Sequence, residues 1–123
     1  MGKFCPKRPA TITNDLRLIT NALVMILYNV TINIENTVHD EWLQWMREHH
    51  IPNILLTGLF VDTKILKLLT EVDNGGTTYS FQYFLTDMED YREYERKYAS
   101  SLRDEHDAHY GGKYVAFRTL LEV

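Results

Sequence analysis

Residues 26 to 34 alternate without a break, with Ile26, Tyr28, Val30, Ile32 and Ile34 on one side and Leu27, Asn29, Thr31 and Asn33 on the other. A period of two means a β-strand, and an apolar side backed by a mixed one means a sheet that must be covered on at least one face. The rest of the chain has to supply that cover. Thr37 stands at capping-box-like spacing before Asp40 and Glu41, and Val38, Trp42, Trp45, Met46 and His49 recur at intervals of three and four, so a helix is expected that stops before Pro52. Leu59 to Val72 reads as a long strand, and Asp73-Asn74-Gly75-Gly76 as a tight hairpin turn leading back along Thr77 to Leu85. With Asn74 and Gly75 at the turn centre, Thr70 is expected opposite Tyr79, Leu68 opposite Phe81 and Leu66 opposite Tyr83.

Thr86-Asp87-Met88-Glu89 opens a second, longer helix, with Glu89, Asp90 and Glu93 near its positive end. Its stripe runs through Met88, Tyr91, Tyr94, Tyr98 and Leu102, and Gly111-Gly112 ends it. Lys113 to Val123 closes the chain as a strand, with Val115, Phe117, Leu121 and Val123 on one side and Arg118 on the other.

Strand, helix, strand, strand, helix, strand, each half a right-handed crossover, resolves most economically into a four-stranded antiparallel sheet with both helices on one face. The expected fold class is therefore α+β, a ferredoxin-like βαββαβ plait spanning residues 25–123. The helix-free face is expected to carry Leu27, Asn29, Thr31, Asn33, Ile65, Lys67, Leu69, Ser80, Gln82, Phe84, Ala116, Arg118 and Leu120. A patch that apolar calls for a partner. The expectation is a homodimer that packs this face on its twin, giving a barrel-like shell.

Composition excludes several classes. The 123 residues suffice for one core, and the single cysteine, Cys5, rules out a disulfide scaffold and a Cys-rich zinc module. Residues 1–24 hold Lys3, Lys7, Arg8 and Arg17 against Asp15, so the remainder carries 9 basic and 16 acidic groups of the 13 and 17 in the chain. An acidic body repels phosphate backbones, so no nucleic-acid partner is expected. No run of apolar residues is long enough to span a membrane, and Asn21 and Asn29 bracket the short apolar run without a small-residue cleavage site, which favours a cytoplasmic protein. Residues 1–24 are expected to be a poorly ordered extension or no part of the native domain, because Met25 stands immediately before the first strand.

His49-His50 and His106-X-X-His109 lack the order of a metalloprotease helix, and their places near helix ends suit the dipole, so no metal site is assigned. Neither a Gly-X-Gly-X-X-Gly nor a phosphate loop is present, and no cofactor is expected. The candidate binding residues are the polar members of the helix-free face: Asn29, Thr31, Asn33, Lys67, Ser80, Gln82 and Arg118. Amides and hydroxyls orient a ligand, and Lys67 with Arg118 favours a small anionic or aromatic one. The alternative is that these groups satisfy one another, or Glu71 and Glu122, across the dimer interface. Two functions follow: a homodimeric ligand- or partner-binding module, or a cofactor-independent enzyme in which Asn29, Gln82 and Arg118 stabilise developing negative charge.

The stretches Met-Ile-Leu-Tyr-Asn-Val-Thr-Ile-Asn-Ile at 25 to 34, His-Asp-Glu-Trp-Leu-Gln-Trp-Met at 39 to 46, Gly-Gly-Thr-Thr-Tyr-Ser-Phe-Gln-Tyr-Phe at 75 to 84 and Phe-Arg-Thr-Leu-Leu-Glu-Val at 117 to 123 resemble a small bacterial family known as domain of unknown function 4286. That resemblance implies no activity. More remotely the chain is similar to dimeric α+β barrel proteins, which include cofactor-independent monooxygenases and small isomerases; this implies a fold and leaves function open.

Overall fold

A computed structural model describes residues 25–70 and 73–123. The expectations for residues 1–24, and for Glu71 and Val72, lie outside the described residues. Strand β1 (Ile26–Glu35) alternates buried and half-buried residues, as its sequence requires. A short 3₁₀ turn leads into α1 (His39–Trp45), then a π-helical turn over Met46–His50, then α2 (Ile51–Leu55). The remaining elements are β2 (Asp62–Lys67), β3 (Gly76–Leu85), α3 (Met88–Lys97), α4 (Ala99–Tyr110) and β4 (Tyr114–Glu122). The strands lie in the order β2-β3-β1-β4, every pair antiparallel. This is the ferredoxin-like plait. Tyr28, Val30, Ile32 and Ile34 of β1 and Tyr79, Phe81, Tyr83 and Leu85 of β3 form the sheet's share of the core, closed by Trp42, Met46, Ile51, Ile54, Tyr94 and Tyr110 from the helices.

The first helix does not stop before Pro52. Ile51 donates its N–H to the Met46 carbonyl five residues back, and this widened turn lets Pro52 enter at the start of α2, where a missing N–H costs little. The π-turn also rotates the face by one position, so the buried sequence runs Trp42, Met46, His50, and His49 is exposed. Thr37 does not cap; its hydroxyl donates to Glu35, and the helix start is held instead by His39, whose Nε2 lies 2.7 Å from the Tyr79 hydroxyl. In α3 the cap is Asp87, whose carboxylate accepts from the Asp90 amide at 3.0 Å. The expected single long helix is broken at Tyr98, which leaves helical geometry at φ −124.

Three strand expectations are corrected. Among the described residues, the segment expected as one long strand from Leu59 holds the six-residue β2, and Asn74-Gly75 is not a two-residue turn between paired strands. Lys67, rather than Thr70, stands opposite Tyr79, because the connection runs from Leu68 to Gly75. Asn74 takes the Gly76 amide on its side chain and Gly75 (φ 80) gives its carbonyl to the Asn36 amide, so both residues shape the end of a longer loop. An offset of three residues is odd, and an odd offset turns every side chain of β2 over. Ile65 and Lys67 therefore face the helices, and Leu66 faces away. On β4, Ala116, Arg118 and Leu120 pair with Ile32, Val30 and Tyr28 and share their helix-side face; Val115, Phe117 and Leu121 point outward. Apolar residues occupy both parities of β4, so alternation could not choose. The choice is made by the bond from the Glu35 amide to the Lys113 carbonyl, just after Gly112 reverses the chain at φ 83.

Candidate binding cleft

Of the expected binding residues, Asn29, Thr31, Asn33, Ser80 and Gln82 share the helix-free face, and Asn29, Thr31, Ser80 and Gln82 are linked to one another by hydrogen bonds. Ser80 Oγ donates to Asn29 Oδ1, and Asn29 Nδ2 lies 3.1 Å from Thr31 Oγ1 and 3.3 Å from Thr119 Oγ1. Gln82 Nε2 donates to Ser80 Oγ, and Asn33 Nδ2 donates to Thr78 Oγ1 at 2.9 Å. The donors of this polar stripe are thus engaged on its own acceptors. Lys67 and Arg118 are not part of it, since the registers of β2 and β4 place both on the helix side, at opposite edges of the sheet.

The helix side contains a cleft of about 40 Å³ between the sheet and the helices, and Arg118 lines it together with Tyr28, Tyr83, Tyr94, His50, Arg103 and His106. The π-turn brings in His50, 8 % exposed, and α4 brings in His106, 5 % exposed. The two rings lie 5.4 Å apart. Trp42 Nε1 is 3.0 Å from His106 Nε2. Indole N–H only donates, so His106 accepts at Nε2 and, when neutral, carries its proton on Nδ1. His50 stacks on Trp45 with ring centres 5.1 Å apart, and its Nδ1 is buried without a partner.

Desolvation pushes both imidazoles down to about 4, assisted at His50 by the neighbouring His106; at His106 the attraction of Asp107 opposes the shift and the Arg118 and His109 charges add to it. Both rings are neutral at pH 7. Burial also raises the Tyr83 and Tyr94 hydroxyls, so these remain protonated donors.

Arg103 is shared between two tasks. Its Nη2 donates to Glu95 Oε2 at 2.6 Å and to the Tyr28 hydroxyl at 2.9 Å, while Tyr91 also donates to Glu95. Burial opposes the Arg103 charge, but the Glu95 carboxylate and the Tyr28 hydroxyl outweigh it and the guanidinium stays charged. Its Nε is buried and unpartnered. Arg118, by contrast, has no carboxylate within ion-pair distance among the described residues. The cleft therefore offers neutral hydrogen-bonding rings, one guanidinium bonded directly to Glu95, and a second, Arg118, that reaches Glu95 only through space and makes no direct ion pair among the described residues. No group of three His, Cys, Asp or Glu side chains suited to a metal ion occurs among the described residues, and none of their helices is long and apolar enough to cross a membrane.

Sequence reasoning missed His50, Arg103 and His106. For His106 a signal was present, because the stripe ending at Leu102 continues at intervals of four to His106 and Tyr110. For His50 it was not, since only the π-turn moves it inward.

No curated protein matches the chain by sequence. Solved structures share its fold. A protein of Nitrosomonas europaea whose proposed role is antibiotic biosynthesis monooxygenase superposes with a TM-score of 0.59 at 11% identity, covering 80% of this chain and 89% of that one. A hydroxynitrile lyase from Passiflora edulis gives 0.55 at 12% identity, covering 78% and 93%. A dimeric ferredoxin-like protein from an uncultured marine organism gives 0.56 at 4% identity, covering 81% and 95%. Identities this low establish the fold alone. Residues 25–123, the whole plait, match the family described as Domain of unknown function (DUF4286), and the chain belongs to that family.

Proposed function

We propose that this chain is a homodimeric binding module that takes a small anionic ligand into the helix-side cleft. The observation that carries the reading is the cleft's polar wall, where His50 Nδ1 and Arg103 Nε are buried without partners in the cleft that Arg118 also lines, and Arg118 makes no direct ion pair among the described residues. Unpaired buried groups cost about 1–3 kcal/mol each, and a ligand or ordered water that pairs them recovers it. Arg118 supplies attraction for the anion, and the neutral histidines hydrogen-bond without repelling it.

The dimer rests on the other face. Val115 (68 % exposed), Phe117 (61 %) and Leu121 (49 %) form an apolar rim on β4, with Leu66 on β2, around the polar stripe. Because the amide nitrogens of that stripe already donate within it, a twin subunit can cover it without orphaning those donors. The solved relative described as a dimeric ferredoxin-like protein supports this reading.

A second reading, a cofactor-independent enzyme, is favoured by His50 itself, an imidazole with a free ring nitrogen at the cleft wall, such as proton transfer needs. A thermal-shift screen of small carboxylates and other metabolites on wild type and Arg118→Ala tests the site. Ligands that raise the melting point of wild type alone identify it, and a flat screen refutes it. Light scattering after size exclusion tests the dimer, and a monomer of 14.5 kDa at micromolar concentration refutes it. Turnover of a ligand found in the screen, lost in His50→Phe, would select the enzyme.

A further inference from the structure

We propose that the ligand is a short aliphatic hydroxy acid, held with its hydroxyl inward at His50 and its carboxylate outward at Arg118. The inference rests on the cleft being the binding site and adds the class of molecule it takes.

Size limits the buried part first. A cavity of about 40 Å³ holds roughly three water-sized groups, at 10–15 Å³ for each, so an aromatic ring does not fit inside and only one small functional group is enclosed. The unpaired atoms then specify that group. Arg103 Nε carries an N–H, which can only donate, and since the Nη nitrogens are held by Glu95 and Tyr28 it needs an acceptor oxygen of its own. His50 Nδ1, in a residue more than nine-tenths buried, needs a partner of its own.

A hydroxyl can accept from Arg103 Nε and can either donate to His50 Nδ1 or accept from it, whichever ring nitrogen carries the proton, whereas a methyl group can do neither. A carboxylate is not the group to send inward, for it would stand as a second negative charge beside Glu95, which already pairs with Arg103. Its place is the exposed end, at Arg118. A ligand with both groups joined by one to three carbons satisfies this arrangement.

The experiment is calorimetric titration of the full chain with matched pairs: glycolate against acetate, 3-hydroxypropionate against propionate, 4-hydroxybutyrate against butyrate. At least one hydroxy acid is expected to bind wild type tenfold or more tighter than its parent acid. Arg118→Gln should weaken both members of that pair alike, and His50→Phe should erase the difference between them. Equal binding of every pair overturns the proposal but leaves the cleft as an anion site. Failure of all six to bind wild type overturns both. A tenfold preference that survives in His50→Phe assigns the hydroxyl elsewhere and overturns the role of His50. If His50→Phe does not fold, the ¹⁵N signal of His50 Nδ1 in wild type decides: it must shift with the hydroxy acid and stay still with the parent acid.

Discussion

Acidifying the protein from pH 7 towards pH 5 should remove much of its stability, and the loss should trace to His50 and His106. In the unfolded chain each histidine ionises near 6.5; in the native state burial holds both to about 4. Between those limits the unfolded chain binds protons that the folded chain refuses, so unfolding gains as pH falls. The stabilising difference is intact above about pH 6.5 and is lost progressively down to about pH 4, with stability rising with pH across the window. At 1.36 kcal/mol for each tenfold change in proton activity, the loss is about 2 kcal/mol per histidine by pH 5 and about 3 kcal/mol per histidine at pH 4. Against a typical domain stability of about 5–15 kcal/mol, two such groups are a large fraction. The Trp42 bond reinforces the effect, because protonating His106 at Nε2 would put two donors face to face.

Urea unfolding followed by far-UV circular dichroism, at intervals between pH 5 and 7.5, measures this directly. Burial opposes the Glu95 charge, but the bonds from Arg103 and Tyr91 and the nearby guanidinium charges outweigh it and hold the carboxyl below its usual range, so its stabilisation fades only below about pH 4.5 and the upper window belongs to the histidines. His106→Gln keeps an acceptor for Trp42 but cannot titrate, and should halve the slope; His50→Phe should remove the other half. A wild-type stability that is flat from pH 7 to 5, or a slope that both variants retain in full, would refute the account.

Trp42→Phe should cost about 1–3 kcal/mol in chemical denaturation, since it leaves His106 Nε2 buried without its donor, and should make His106 easier to protonate as followed by NMR titration. Gly76→Ala should destabilise by about 1–3 kcal/mol in the same assay, because a β-carbon there would stand 2.9 Å from the Ile34 carbonyl oxygen and overlap the Asn33 side chain. Tyr28→Phe should cost about 1 kcal/mol by removing the acceptor that Arg103 uses on the sheet; an unchanged melting curve would show that the bond contributes nothing.

What the sequence made legible follows burial on both sides. β1 and β3 lie at the centre of the sheet, and their alternation from Ile26 to Ile34 and from Tyr79 to Leu85 assigns every facing, because one parity is consistently apolar. β2 and β4 are edge strands with one neighbour each, and their residues are apolar at both parities: Ile65 beside Leu66, Ala116 beside Phe117, Leu120 beside Leu121. Their facing is decided by loop length and by backbone bonds such as Glu35 to Lys113, and neither is written in periodicity. The expected polar face divides accordingly. Its members on β1 and β3 do assemble, whereas Lys67 and Arg118, on the edges, are turned to the other face.

Strand β4 also joins the two faces of the proposed module, the ligand cleft and the dimer surface. On β4, Phe117 points to the helix-free face and its neighbour Arg118 lines the cleft, and among the described strands β4 is hydrogen-bonded to β1 alone. A subunit packed on Phe117 restrains the backbone that carries Arg118, so dimerisation should organise the anion site without contributing a residue to it. Phe117→Glu tests this coupling: a charge in the apolar rim should produce a monomer, and anion affinity in the calorimeter should fall severalfold although the substituted side chain points away from the cleft. Circular dichroism will confirm that the exposed substitution leaves the fold intact. A monomeric Phe117→Glu protein that binds as tightly as wild type would show that the two faces of the sheet act independently.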